Sequence, residues 1–210
     1  HRDLHSFPTR RSSDLDGFYM SRGLDDMKFD EEANAAVFYE RLDYEDNAQY
    51  YLIWSLIVKR AGGNPDMRTV GRAYRYIREH EVDGLYIPPR LHPDKKCYKT
   101  YHDQLNYEDD DAPSSNQGFH CGALMAAKEL GFPVTDEDID KAIAGYQQMF
   151  NKEGGYMATS LKQQENIGQD ALYGEVLTYV VFGKKLLPDE MVKKHLETTM
   201  RIQSPYGMRV

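Results

Sequence analysis

The chain has 210 residues and a formal net charge of −8, because 34 acidic residues outnumber 26 basic ones. This balance argues against nucleic acid or an anionic membrane as the main partner. The longest apolar run, residues 50–58, is far too short to span a bilayer, while 40% hydrophobic and 29% charged residues are typical of a folded globular domain.

The two ends of the chain differ from the rest. Residues 1–15, HRDLHSFPTRRSSDL, have no helical or strand periodicity and resemble translated sequencing-adapter DNA. We therefore expect a non-native leader at 1–15, followed by a domain at 16–210. The last residues, RIQSPYGMRV, contain no helix cap, so we expect this domain to be truncated at both ends.

Glycine and proline residues divide the domain into three predicted helical hairpins. In each hairpin an apolar helix ends at a glycine, and an amphipathic helix then begins near an aspartate. The predicted helices pair as 46–61 with 66–79, 115–130 with 136–150, and 169–182 with 189–200. Repeated units of this kind form a solenoid or a closed α/α toroid with apolar inner helices and amphipathic outer helices. We therefore predict an all-α fold built from helical hairpins.

A polar segment precedes each apolar helix, and we expect these segments to meet at one end of the fold, where all the long loops emerge. The richest segment, 99–118, contains the candidate catalytic carboxylates Asp103, Asp109, Asp110 and Asp111. Crowded carboxylates split their pKa values, which leaves one protonated acid beside ionised partners, as hydrolysis of a glycosidic bond requires. The alternative is a solvated acidic loop or a calcium-binding loop.

The segment before the first apolar helix contains a second group of candidate binding residues. RGLDDM places Arg22 close to Asp25 and Asp26, and YEDN places Asp46 and Asn47 at the start of the helix. Charged and amide groups of this kind orient sugar hydroxyls through hydrogen bonds. The alternative for Asp46 and Asn47 is ordinary helix capping.

Further polar and aromatic residues complete the candidate substrate-binding set. They are Asn116 and Gln117 at the second apolar helix, Gln169 and Asp170 at the third, and Tyr101 and Tyr107 in the acidic loop. The two tyrosine rings are expected to stack on sugar faces, because tyrosine combines an apolar face with a hydroxyl group.

Three residues inside the predicted helices have both a functional and a structural interpretation. Glu175 either has a buried partner, or lines the axial cavity, or points along an outer face, and the outer face is favoured. His120 is expected to be a satisfied core residue rather than a catalytic one. Cys121 and Cys97 are expected to be unpaired thiols, and the alternative is a single disulfide. Neither a metal-ligand spacing nor a cofactor-binding motif is present in the sequence, so we expect no metal and no cofactor.

The segments that suggest a family are SRGLDDM, YEDNAQYYLIWSLIVKRAGGNPD and EDDDAPSSNQGFHCGALMAAKELG. Together they resemble the six-hairpin (α/α)6 glycosidases. The closest similarity is to the bacterial amylo-α-1,6-glucosidase or debranching-like group and the trehalase-like group. The resemblance covers 16–210 and implies a helical-hairpin toroid of which about three of six hairpins are present.

The resemblance also implies a reaction, the hydrolysis of α-linked glucosides or related oligosaccharides with inversion. The general acid would come from Asp103 or from 109–111, and the base from a late hairpin that this chain lacks, so the isolated fragment is expected to be inactive. The two carboxylates of an inverting enzyme are about 6.5–9.5 Å apart. The expected partner is an oligosaccharide substrate.

Two other functions fit parts of the pattern. A non-catalytic helical repeat that binds a glycan or a protein would use the acidic loops as a docking surface. An isoprenoid-cyclase-like barrel would use an aspartate-rich motif such as 109–111, but it needs an apolar, aromatic cavity, which the polar helix mouths disfavour. A partial toroid would expose the apolar flanks of its terminal hairpins, which predicts aggregation or poor stability. The sequence does not determine the oligomeric state or the compartment, although a periplasmic or secreted location is favoured over a cytoplasmic one.

Overall fold

The computed structural model describes residues 47–87 and 111–202, which form six helices and four short strands. In chain order the elements are α1 (Asn47–Arg60), α2 (Met67–Glu79), β1 (Glu81–Val82), β2 (Leu85–Tyr86), α3 (Ser114–Leu130), α4 (Asp136–Gln148), β3 (Phe150–Asn151), β4 (Tyr156–Met157), α5 (Tyr173–Phe182) and α6 (Asp189–Ile202). The predicted all-α class is confirmed for this part of the chain.

The three predicted hairpins correspond to α1 with α2, α3 with α4, and α5 with α6. Gly131 and Gly183 end α3 and α5 in the left-handed conformation, at φ 99° and 66°, which glycine adopts at no steric cost because it lacks a Cβ. Thr135 and Asp138 begin α4 with a capping box, in which each side chain accepts a hydrogen bond from the backbone N–H of the other residue. These helix ends are therefore set by local interactions.

Two helix ends differ from the prediction. α5 begins at Tyr173 rather than at 169, because 169–172 form turns in which the Tyr173 N–H donates to the Asp170 carbonyl. α4 ends at Gln148, and Phe150 instead pairs with Met157 in the antiparallel β3–β4 hairpin. Strands of two residues are too short to show an alternating pattern, which is why the sequence does not predict them.

The inner helices α1 and α3 pack side by side and run in the same direction. The rings of Tyr50 and Phe119 have centroids 4.4 Å apart, and Ile53 Cδ1 lies 3.2 Å from the position that a Cβ would occupy on Gly122. The two pairs have the same separation in sequence, so α1 and α3 keep a constant register over this turn. Parallel inner helices follow when each one is connected to the next through an antiparallel outer helix.

The helix pair α3 and α5 is also parallel, and its backbones approach more closely. A Cβ on Gly118 would lie 2.9 Å from Gly174 Cα, and one turn further a Cβ on Gly122 would lie 2.7 Å from Thr178 Oγ1. The two residues of each pair are again separated by the same number of positions along the chain, so the two helices keep a constant register here. Helix α3 is therefore the middle of three parallel helices, and small residues on its surface let α5 pack against it at short range.

The outer helices cover this inner layer, with α2 against α1 and α4 against α3. The ring of Tyr74 on α2 stacks on Phe132 with centroids 4.7 Å apart, and its hydroxyl donates to the Pro133 carbonyl over 3.2 Å. Arg78 of α2 forms a salt bridge of 3.2 Å with Asp138 of α4. Neighbouring hairpins are thus joined through their outer helices as well as through the inner ones.

Arg60 joins the C-terminal ends of the three inner helices. As the last residue of α1, it forms a bidentate pair with Glu129 of α3, with a shortest N–O distance of 2.6 Å, and donates to the Val181 carbonyl of α5 over 2.5 Å. Its guanidinium also lies 5.2 Å from the ring centroid of Phe182. All three helices therefore end at the same end of the fold, and all three begin at the opposite end.

The flank of α5 that faces away from α3 is apolar and exposed. It carries Tyr173, Val176, Tyr179 and Val180, and the exposed fractions of Tyr173 and Val180 are 63% and 74%. An exposed apolar surface of this kind is unusual for a helix flank that remains in water. Within the described residues, no helix combines the length and the apolar character that crossing a membrane requires.

His195 attaches α6 to the β3–β4 hairpin and makes stability depend on pH. Its buried Nδ1 accepts a hydrogen bond of 3.1 Å from the Met157 N–H, so the folded protein needs the neutral ring. Burial lowers the pKa of His195 below its ordinary value of 6.5. The unfolded chain then binds the proton more readily than the folded protein. The contribution of neutral His195 to stability is therefore complete above pH 6.5 and is lost as the pH falls through the lowered pKa.

We expect the change His195→Gln to flatten this pH dependence, because a glutamine oxygen accepts the same hydrogen bond and does not titrate. The measurement is the free energy of unfolding in urea at pH 7.5 and pH 5.5 for both proteins. The wild type should lose more stability than the variant at the lower pH. Both proteins share their other titrating groups, so the effects of those groups cancel when the two losses of stability are subtracted. An equal loss in both proteins would contradict the assignment.

Candidate functional site

The candidate site lies at the end of the fold where α1, α3 and α5 begin. Several residues chosen from the sequence are not placed there by the structure, because they lie outside the described residues. These are Arg22, Asp25, Asp26, Asp46, Tyr101, Asp103, Tyr107, Asp109 and Asp110. Asn47 is the first residue of α1, which agrees with its predicted position at this end.

Asp111 has a structural environment rather than that of a catalytic acid. It is buried ahead of α3, and its Oδ1 accepts from the backbone N–H groups of Ala112 (2.8 Å) and Lys162 (3.0 Å). Its Oδ2 accepts from the hydroxyl of Ser160. Both oxygens are therefore used to hold the loop after β4 against the start of α3. This geometry favours a positioning role over the predicted protonation of a substrate.

Asn116 and Gln117 lie buried in the first turn of α3, at the end of the fold where the inner helices begin. Gln117 Nε2 donates to the Tyr86 carbonyl over 2.8 Å. Among the described residues, however, Gln117 Oε1, Asn116 Nδ2 and the hydroxyl of Ser114 have no hydrogen-bond partner. An unpartnered buried polar group costs about 1–3 kcal/mol, so a hydrogen-bond partner would stabilise each of these atoms.

Gln49 belongs to the same group, although sequence reasoning missed it. It is fully buried in the first turn of α1, and neither its Oε1 nor its Nε2 has a partner among the described residues. The register of α1 against α3 places Gln49 one turn before Ile53, level with Gly118. One signal was available: Gln49 is an amide on the same helix face as the apolar residues Leu52 and Ile53.

Gln169 and Asp170 lie in the turns that lead into α5. A Cβ on the preceding Gly168 would lie 2.8 Å from the Ser114 hydroxyl, so this loop packs directly onto the start of α3. Asp170 is exposed, yet desolvation by the surrounding protein raises the pKa of its carboxyl. Both properties are expected of a group in a concave recess, which protein atoms surround while one side stays open to solvent.

Glu175 does not point along an outer face, so the favoured prediction was wrong. Its residue surface is 7% exposed, and its Oε2 accepts from the backbone N–H groups of Leu186 (2.9 Å) and Leu187 (3.1 Å). Burial raises the pKa of Glu175, and the two hydrogen bonds oppose that rise. The carboxylate therefore holds the connection between α5 and α6, which is a structural task.

His120 and Cys121 both lie in the core, but the prediction of a satisfied His120 was wrong, because neither of its ring nitrogens has a hydrogen-bond partner among the described residues. His120 Nε2 is 3.1 Å from Glu81 Oε2, and the ring stacks on Tyr86 at a centroid distance of 5.6 Å. Cys121 is a free, buried thiol whose pKa is raised by desolvation, so it is not a nucleophile at neutral pH. Across 47–87 and 111–202, no group of three or more potential metal ligands is present.

Fold and site together define an all-α protein of paired helices with a polar end where its inner helices begin. No protein-family model, curated protein or solved structure matches the chain. The assignment of a function therefore depends on the fold and on the side chains at this end.

Proposed function

We propose that the protein is a glycoside hydrolase that acts on α-linked glucosides or related oligosaccharides, with its substrate at the end where α1, α3 and α5 begin. The observation that carries the proposal is the position of Asp170, an exposed residue in the turns before α5, on a loop that packs against the start of α3. Desolvation by the surrounding protein also raises the pKa of its carboxyl. A carboxyl that keeps its proton at higher pH than a free aspartic acid is suited to protonate a leaving oxygen.

The proposed architecture is an (α/α) toroid. Helix α3 packs against α1 on one flank and against α5 on the other. Helix α5, in contrast, has an exposed apolar flank on the side that faces away from α3. A further hairpin on that flank would repeat the packing of α5 on α3 and extend the ring. The polar helix starts would then face a common cleft, as in other closed helical arrangements of this type.

The proposed mechanism needs two carboxylates with different tasks. Asp170 is the general acid, and it lies two residues after Gly168, whose loop contacts the start of α3. The base would come from Asp103, Asp109 or Asp110 in the acidic loop, or from a hairpin beyond these. With inversion, a water molecule fits between two carboxylates about 6.5–9.5 Å apart. Asp111 would contribute by holding the loop after β4 in place.

The test is the release of glucose from a panel of α-linked oligosaccharides, measured for the protein and for any longer product of its gene. We expect Asp170→Asn to lower turnover by about 100-fold or more, because it removes proton donation without changing the side-chain volume. The matched control is Asp140→Asn, since Asp140 is an exposed aspartate on the outer helix α4. Unchanged turnover in Asp170→Asn would exclude Asp170 as the acid.

A second function, a non-catalytic helical scaffold that binds a glycan, is favoured by the state of Asp111. This residue is the only predicted catalytic carboxylate within 47–87 and 111–202, and both of its oxygens already accept hydrogen bonds from the protein. Glycan binding without hydrolysis, by a folded protein, would support the scaffold over the hydrolase.

A further inference from the structure

The first turns of α1 and α3 contain four buried polar side chains with atoms that lack a partner among the described residues. They are Gln49, Ser114, Asn116 and Gln117. Gln49 and Asn116 are at least nine-tenths buried, and the parallel register places them within one turn of each other along the two helices. Leaving several donors and acceptors unpaired at one end of the fold is unfavourable, so a further hydrogen-bonding partner would stabilise the cluster.

The chemistry of the cluster indicates which partner it is suited to bind. All four side chains are uncharged, and the carboxamides offer both donors and acceptors. None of the buried polar residues in the described part of the chain is a lysine or an arginine. A carboxylate or phosphate ligand would need such a cation, and it would be repelled by Asp111, which lies at the same end. Hydroxyl groups, which both donate and accept, match the cluster.

We infer that Gln49 and Asn116 form a subsite that holds an uncharged, hydroxyl-bearing ring of the ligand and discriminates against a ring that carries a carboxylate. The inference rests on the proposed function for the class of ligand, a sugar. It adds the residues that hold the sugar and the preference for a neutral unit over a uronic acid.

The two effects expected of the change Gln49→Met have opposite signs. Methionine has nearly the same volume and no hydrogen-bonding amide. In the free protein it removes two unsatisfied groups, so the melting temperature should rise, by about 2–4 °C. With ligand present it removes the hydrogen bonds to the sugar, so glucose should bind about tenfold more weakly. A residue with only a structural role would not raise stability and weaken binding together.

The matched control is Gln147→Met. Gln147 Nε2 donates to the Leu186 carbonyl over 2.8 Å, away from the helix starts. Its replacement should lower the melting temperature and leave binding unchanged. The change Asn116→Leu provides an independent second variant, for which we expect the same rise in stability and loss of affinity as for Gln49→Met.

The experiment is a calorimetric titration of the whole chain with glucose and with glucuronate, combined with thermal melts. Glucose binding that is absent for glucuronate and weakened in Gln49→Met would support the subsite. A lower melting temperature in Gln49→Met would show that ordered water already satisfies the amide, which would overturn the inference. Unchanged glucose affinity in that variant, or binding of neither probe by the wild type, would overturn it as well.

Hydrolysis is measured separately, so the two proposals can fail independently. If the protein turns over an α-glucoside and Gln49→Met leaves KM unchanged, the subsite is refuted and the hydrolase stands. If glucose binds in a manner that Gln49→Met weakens, while neither the chain nor any longer product of its gene hydrolyses a substrate, the hydrolase is refuted and the subsite stands.

Discussion

Replacement of Gly174 by alanine is expected to lower the free energy of unfolding by about 3 kcal/mol, the upper end for overpacking of a core. The added Cβ would lie 2.2 Å from the carbonyl carbon of Gly118 and 2.3 Å from the backbone nitrogen of Phe119. Both atoms belong to the backbone of α3, which cannot move aside as a flexible side chain can. Helices α3 and α5 would have to separate, and their contact joins the second hairpin to the third.

The matched control is Gly71→Ala in α2. Gly71 is also a helical glycine, but a Cβ there would lie 3.8 Å from the nearest atom, a ring carbon of Phe132, which is ordinary contact. Since alanine favours the helix by about 0.5–1 kcal/mol over glycine, this change should stabilise the protein. Urea denaturation of both variants measures the difference. Similar stabilities for the two proteins would mean that α3 and α5 are not in backbone contact.

Replacement of Asp111 by alanine is expected to cost about 3 kcal/mol of stability, because three donors lose their acceptor in a buried position. The donors are the hydroxyl of Ser160 and the backbone N–H groups of Ala112 and Lys162. Asp111→Asn should cost less, since the amide keeps one accepting oxygen. Thermal or urea unfolding of both variants provides the measurement.

Asp140→Ala is the control for this prediction, because an exposed helical aspartate contributes within about 0.5 kcal/mol. The comparison also separates the two interpretations of Asp111. A large loss of stability in the alanine variant supports the positioning role. A variant that unfolds like the wild type but has lost turnover would mean that Asp111 acts in catalysis, as the sequence predicts.

The candidate site was predictable only in part. The polar residues Asn116 and Gln117 stand at the start of an apolar helix, which predicts a position at this end of the fold, and both lie buried there. Asp111 was chosen as a carboxylate in an acidic run, but its main partner, Ser160, is 49 residues away along the chain. Nothing in the local pattern distinguishes a carboxylate with such a partner from a free one.

The helices and most of their ends are what the sequence by itself determined about this protein. Apolar spacing, the glycines at 131 and 183 and the capping pair of Thr135 and Asp138 act within a few residues of each other, so they can be read along the chain. The class, the three hairpins and the end at which polar residues collect all follow from such short-range effects.

Only the tertiary structure decided the parallel register of α1, α3 and α5, the glycine contact between α3 and α5, and the hydrogen-bond state of each buried polar group. Whether Gln49 is satisfied, or Glu175 has a partner, depends on residues that are distant in sequence and become neighbours on folding. Periodicity along a chain records which face of a helix is buried, but it does not record which atoms meet there.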